Sequence, residues 1–364
     1  MMARLGGDEF AVLLPGIASP AAASRVAESI LEALRTTSDT PETNGISTSI
    51  GIALYPDDAT DRQSLLTCAD TALYRAKTEG RNTYRFFEAT MGAEVRERRT
   101  LEHDLRLAIA RGELRLVYQP QKDIQSQALT GFEALLRWKH ATRGEISPAV
   151  FIPIAEETGA ILEIGAWVMK TACSEAATWT RPLSVAVNVS TVQLYNPDFV
   201  KELHQILLES RLPPRRLEIE ITETALVRDF NRALATLRQI KALGIGIAMD
   251  DFGTGYSSLS NLRAFPFDKI KIDGSFIKSV NSNEQAATIV RAVLGLGRGL
   301  GLPVLAEGVE TEAELQFLQN ELCDQVQGYL LGRPAAIGSF RHLTHGDAGS
   351  DASDDVVASQ AKSA

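Results

Sequence analysis

The chain has 364 residues, 45% hydrophobic and 23% charged, enough for two folded domains or one large domain with an appendage. Its formal net charge of −9 disfavours loose binding to nucleic acid or to an anionic membrane, so a phosphate-bearing ligand needs local cations or bound metal. Three dispersed cysteines (Cys68, Cys173, Cys323) and five scattered histidines argue against a disulfide framework and against a thiolate or imidazole metal centre.

In chain order, residues 1–90 read as an α+β piece. The opening MMARLGGDEFAVLLP sets two glycines and two acids between short apolar stretches, as in a tight turn joining two strands. FAVLLP, STSIGIALYP and TYRFF are strand candidates. SPAAASRVAESILEALR and DRQSLLTCADTALYRAK carry apolar residues three and four apart, as a helix requires. A charged helical stretch at 91–112 links this piece to the next. From about 115 onward, eight short β-rich runs alternate with amphipathic segments: LRLVYQP, ALTGFEALLRW, LSVAVNVS, LEIEITET, GIAMDDFG, KIKID, PVLAEG and QVQGYLL. That alternation over roughly 245 residues predicts an α/β fold, a TIM-like (β/α)8 barrel, with an open doubly wound sheet as the alternative. The polar tail at 345–364 is expected to be disordered. No apolar run reaches the ~18 residues of a membrane span, and the start lacks the pattern of a secretory leader. The cytoplasm is the expected compartment.

The strands carry acids where a barrel core is normally branched and apolar. In LEIEIT, Leu217, Ile219 and Ile221 share one face, while Glu218, Glu220 and Thr222 share the other. In KIKID, Ile270 and Ile272 oppose Lys269, Lys271 and Asp273. Helices cover the outer face of such a barrel, so the polar set points inward. Polar residues also fall late in successive strands: Glu133, Asn188, Glu220, Asp250 with Asp251, Lys271, Glu307 and Gln327. Barrel sites are built at that C-terminal end. The candidate ligands Glu133, Asn188, Glu220, Asp250, Asp251 and Glu307 are all oxygen donors, which selects hard cations, Mg²⁺ or Mn²⁺. The adjacent pair Asp250-Asp251 suits two ions, a recurrent device for attack on phosphate esters. Any one of these acids reads equally well as solvated or paired with a nearby Arg or Lys. The full set, each at the same end of its strand, points to a metal-dependent hydrolase of unspecified substrate.

Ordered along residues 99–343, the pieces VYQP, GFEALLRW, FIPIAEETG, VNVS, EIEITET, MDDFGTGYSSL, KIKIDGSF, AEGVET and QGYLLGRP resemble an EAL-domain cyclic-di-GMP phosphodiesterase. The resemblance implies a modified barrel whose first strand runs antiparallel. It implies hydrolysis of cyclic di-GMP to linear pGpG by a water activated between two metal ions. The ligands would be Glu133, Asn188, Glu220, Asp250 and Asp251, with Glu307 completing or supporting the second site. Lys271 would orient the attacking water or a phosphate oxygen and assist proton transfer, and Gln327 would help hold water. Arg137 would grip a phosphate with its guanidinium fork. Gln119, Leu135 and Asp273 would touch the nucleotide. The loop after Asp251 would couple metal binding to homodimer formation through the barrel, anchored by Glu223. A silent cyclic-di-GMP-binding or scaffold protein is the alternative. The implied partners include no nucleic-acid polymer and no membrane segment.

At the start, GGDEF, SIGIALYPDDATD and ADTALYRAKTEGRNTYRF resemble the second half of a diguanylate cyclase GGDEF domain. By that resemblance Gly6 and Gly7 let the backbone approach GTP. Asp8 and Glu9 sit at the turn, Glu9 helping to hold a metal, and Lys77 and Arg81 reach phosphates. The half that carries the other metal-binding Asp and the RxxD motif is expected to be missing. The site is therefore expected to be vestigial, the piece an inert scaffold, and cyclase activity the weakest reading.

Overall fold

The computed structural model describes residues 1–17, 19–37, 47–226, 229–253 and 264–345. The chain divides into two compact units, Met1–Asp104 and Leu105–Ala364.

In the first unit, β1 (Met2–Gly6) and β2 (Glu9–Val12) form an antiparallel hairpin. Gly7, with φ +53°, makes the turn, and MARLG and EFAV are the two strands that it was expected to join. Leu5, Phe10 and Leu13 stand exposed on this hairpin. Separately, β3 (Ile50–Ile52) pairs in parallel with β4 (Tyr84–Phe86). The helices Pro20–Thr37 and Arg62–Thr78 match the two periodic segments. At Gly51 a Cβ would lie 2.0 Å from the Ala69 carbonyl oxygen, so the second helix lies directly on the strand backbone there. The charged stretch is a helix over Ala89–Ala108, shifted toward the N-terminus from the expected 91–112.

The second unit is a closed barrel. Its strands are β5 (Leu114–Asp123), β6 (Leu129–His140), β8 (Ser184–Asn188), β9 (Leu217–Thr222), β10 (Gly246–Phe252), β11 (Lys269–Ile272), β12 (Val304–Ala306) and β13 (Gln325–Gln327). A short β7 (Gly144–Ile146) extends β6 as a hairpin. The order is β5-β13-β12-β11-β10-β9-β8-β6, closed by β5 pairing with β6. Closure rules out the open doubly wound sheet. β5 is antiparallel to both neighbours, and the remaining barrel neighbours pair in parallel. The reversal is local in origin. Only residues 124–128 join β5 to β6, too few for the crossover a parallel pair needs. Asp123 fixes that turn by accepting from the backbone N–H and hydroxyl of Ser126.

Alternation divides the barrel wall as expected. Leu217, Ile219, Ile221, Ile270 and Ile272 are at most 1% exposed on the helix-covered side. Inside, Lys269 donates to Glu218 at 2.8 Å and Lys271 to Glu220 at 2.7 Å. Both pairs reach across β10, whose intervening inward residues are Gly246 and Ala248. Two residues this small leave room for lysine stems. Among the described residues, no helix is long and apolar enough to cross a membrane.

Phe132, fully buried, seals the outer side of β6 beside Glu133. Its ring lies 5.4 Å from that of Trp179 and 5.3 Å from that of Phe340. Phe132→Ala is expected to cost about 3–5 kcal/mol, the range for emptying an aromatic core position. A urea melt of the barrel measures it, and a loss below about 1 kcal/mol would contradict this packing.

Candidate active site

The four-residue strand β11 carries Lys271 into the barrel, where its side chain is 0% exposed. Its Nζ donates to Glu220 Oε2 at 2.7 Å, Asp250 Oδ1 at 3.2 Å and Glu307 Oε1 at 2.6 Å. Burial alone would lower the lysine pKa; Asp250, Glu133, Glu220 and Glu307 override it and hold the ammonium well above its ordinary range. Glu220 sits at the other extreme. Burial pushes its carboxyl well above the usual value and Lys271 offsets this only in part. Its Oε1 is buried with no hydrogen-bond partner.

Asp250 and Asp251 are neighbours in sequence, and a regular strand would send them to opposite faces. The register with β11 slips here: Met249 pairs with Ile270 and Phe252 with Ile272, so two aspartates oppose Lys271 alone. Asp251 takes φ +56°, a conformation in which Asp is enriched among non-glycine residues. This bulge swings both acids to one side. Ligand oxygens of Asp250, Asp251 and Glu307 all lie within 4.8 Å of one another. Burial, with Asp250 and Asp273 nearby, raises the Asp251 pKa. Burial also pushes Glu307 up to about 8 against the pull of Lys271.

On the opposite wall Glu133 accepts from Asn188 Nδ2 at 2.6 Å and from Gln327 Nε2 at 2.5 Å. Burial would raise this carboxyl; Lys271 and these amides together hold it below the usual value. Gln327 also donates to Gln119 Oε1 at 3.1 Å and accepts from Gln121 Nε2 at 3.0 Å. The eight residues selected from the late strand positions thus converge on one centre. Gln121 joins them without having been singled out. Its signal was its place two residues from Gln119, on the same face of β5.

The remaining candidates of the barrel lie on these strands and on the turns that follow them. Leu135 and Arg137 continue the Glu133 face of β6, opposite Val117 and Arg115 on β5. Arg137 lines an open cleft of about 490 Å³, and burial lowers its pKa. Asp273 caps the turn Gly274–Ile277, accepting from the Ser275 N–H at 3.0 Å. Glu223 is buried on the turn after β9, and among the described residues neither of its oxygens has a hydrogen-bond partner. Residues 254–263 of the loop it was expected to anchor lie outside the described residues, as does the tail from 346. In the first unit Gly6, Gly7, Asp8 and Glu9 form the exposed hairpin tip, and Lys77 and Arg81 are exposed.

The donor set fits divalent cations. If Glu133, Glu220, Asp250, Asp251 and Glu307 all ionise, then among the described residues of this cluster five negative charges face the one positive charge of Lys271, a balance of 1 − 5 = −4. Two divalent ions would neutralise it. In the orphaned Glu220 oxygen and the raised Asp251 and Glu307 carboxyls, the protein shows the strain of that excess.

A closed barrel with its first strand reversed and an acidic, lysine-centred site at its C-terminal mouth defines a TIM-like barrel protein. The EAL domain family profile matches residues 102–334, and the chain belongs to that family. The profile of the diguanylate cyclase GGDEF domain matches residues 1–83. An uncharacterized signaling protein of Caulobacter vibrioides is 51% identical over 95% of this chain and 43% of its own length. The bifunctional diguanylate cyclase/cyclic di-GMP phosphodiesterase MucR of Pseudomonas aeruginosa is 44% identical over 92% of this chain and 49% of its own length. The chain thus spans about half the length of these relatives. The PaMucR phosphodiesterase in its c-di-GMP complex superimposes with a TM-score of 0.65 at 42% identity, covering 66% of this chain and 99% of that one. The EAL enzyme Bd1971, bound to cAMP and cyclic di-GMP, gives a TM-score of 0.67 at 28% identity, covering 78% and 77%.

The charge balance makes a pH prediction for the metal-free chain. Folded Glu307 keeps its proton to about pH 8, whereas an ordinary carboxylate loses it near 4.5. Between those values the folded state binds more protons than the unfolded state, so stability falls as pH rises. Melts in EDTA should show a falling Tm across this window, and added Mg²⁺ should restore stability most at the alkaline end. A Tm that rises across it would contradict the arrangement.

Proposed function

We propose that the chain is a divalent-cation-dependent phosphodiesterase that opens one phosphodiester of cyclic di-GMP to give linear pGpG. The observation that carries this reading is the convergence of five carboxylates and Asn188 around one buried lysine at the barrel mouth. The family and the relatives named for cyclic di-GMP supply the substrate.

In this reading Asp250, Asp251 and Glu307 would hold one ion, and Glu133, Asn188 and Glu220, with the aspartate pair shared, the other. Mg²⁺ or Mn²⁺ in such sites makes water more acidic and neutralises charge developing on phosphate oxygens. The protein's own groups do the positioning. Lys271 is held as an ammonium, and with cations drawing on the carboxylates one of its three N–H groups would be released to a phosphate oxygen or to the attacking water, assisting proton transfer. Gln327, tied to Glu133, Gln119 and Gln121, fixes the rotamer of Glu133 and offers its amide to water. Arg137, above Glu133 on the same face, grips a phosphate. Gln119, Leu135 and Asp273 would touch the nucleotide. Glu223 would steady the loop after Asp251 and link the site to a barrel-mediated homodimer. The piece at residues 1–90 would be an inert scaffold.

Incubation of the chain with cyclic di-GMP and Mn²⁺, read by chromatography, should yield pGpG, and Ca²⁺ in its place should yield none. Glu133→Ala should abolish turnover while leaving the chain folded, seen as a retained cooperative melt. Gln327→Ala should cost about 10–100-fold, the usual loss when a ligand's supporting hydrogen bond goes. Binding without product in excess Mn²⁺ would replace this reading with a cyclic-di-GMP receptor.

A further inference from the structure

The inner face of β5 and β6 continues beyond the acidic centre. Directly opposed pairs run Gln119/Glu133, Val117/Leu135 and Arg115/Arg137. Arg115 therefore lies four residues, about 14 Å along the strand, from the level of Glu133. The 490 Å³ cleft opens at that point. Its floor is Val117, and its walls include Ile146, Pro148 and Pro334. The last wall is fixed because Ala335 pairs through both backbone groups with Tyr118 of β5. Across the cleft, β7 brings Glu145 to Arg115, whose Nη2 donates to Glu145 Oε1 at 2.7 Å.

The geometry points to a guanine-reading subsite in this cleft, in which Arg115 and Glu145 recognise one of the two bases of cyclic di-GMP. The inference rests on the hydrolytic reading only for the placing of a phosphate over the acidic centre. A guanidinium beside a carboxylate complements guanine on both edges. O6 and N7 accept from arginine, and the N1–H and N2–H₂ groups donate to a carboxylate. Adenine reverses this pattern: its amino group would face Arg115 and its N1 lone pair would face Glu145. Proline and branched aliphatic walls suit a flat ring, and a few polar groups at the edge then fix its orientation. Both side chains of the pair are 48% exposed, so a base can enter between them without breaking a buried contact.

The test compares cyclic di-GMP with cyclic di-AMP on the full chain. Calorimetry in Ca²⁺ gives Kd, and Mn²⁺ assays give KM. The wild type should prefer cyclic di-GMP. Arg115→Met and Glu145→Gln should each weaken cyclic di-GMP by about 5- to 150-fold, the discrimination of one bidentate base contact, and shrink the ratio between the two ligands. Unchanged melting temperatures show that both variants fold. Equal weakening of both ligands would assign Arg115 to phosphate and overturn the base reading; so would unchanged Kd in both variants. A wild type that binds cyclic di-GMP but makes no pGpG defeats the hydrolytic reading alone, and the Kd ratios then decide the subsite. A wild type that binds neither ligand defeats both.

Discussion

Everything at the barrel mouth depends on the compensation of one buried ammonium. Alone, Lys271 in a dry interior would be costly, and so would each carboxylate around it. Together they hold one another in place, and the sequence shows how. β9 and β11 each present acid or base at every second residue, while β10 between them presents Gly246 and Ala248. The glutamates and lysines thus meet across an intervening strand on two successive levels. The lower pair, Glu218 and Lys269, balances its own charge. The upper level is over-acidic by design of the neighbouring strands, and that excess is what a cation would answer.

Much of this was legible in the sequence because strand alternation is a strong constraint. LEIEIT and KIKID fix which side chains face inward, and the late position of each polar residue fixes the end of the barrel. What escaped reading was non-local or irregular. Adjacent aspartates on an ideal strand would diverge; only the register slip against β11 brings Asp250 and Asp251 together, and that slip is a property of the pairing. β12 and β13 are three residues each, too short to show a period, and Glu307 after the one and Gln327 in the other were placed through the surrounding motifs. Gln121 was passed over although it shares a face with Gln119. Arg115 and Glu145 are thirty residues apart and meet only through the β7 hairpin.

The first unit follows a different logic. Among the described residues its two sheets have two strands each, an arrangement that is marginal without further support. β3 gains that support from the helix seated on Gly51. The β1–β2 hairpin keeps its apolar residues in solvent. The resemblance to a GGDEF domain and the match at residues 1–83 therefore describe a motif whose glycines and acids are present but whose surroundings, among the described residues, do not enclose a ligand.

The reversed β5 also sets the order in which the barrel can be assembled. β5 and β6 form a hairpin whose contacts are local, and such pairings are reached quickly. β13, which must slide in beside β5 to close the ring, arrives some two hundred residues later, and it carries Gln327 to Glu133 across a separation of 194 positions. During synthesis a ribosome-bound chain would expose the open edge of β5 until that strand emerges. Ring closure and completion of the Glu133 network are then the same event, so a chain arrested before β13 would have neither a sealed sheet nor a finished centre.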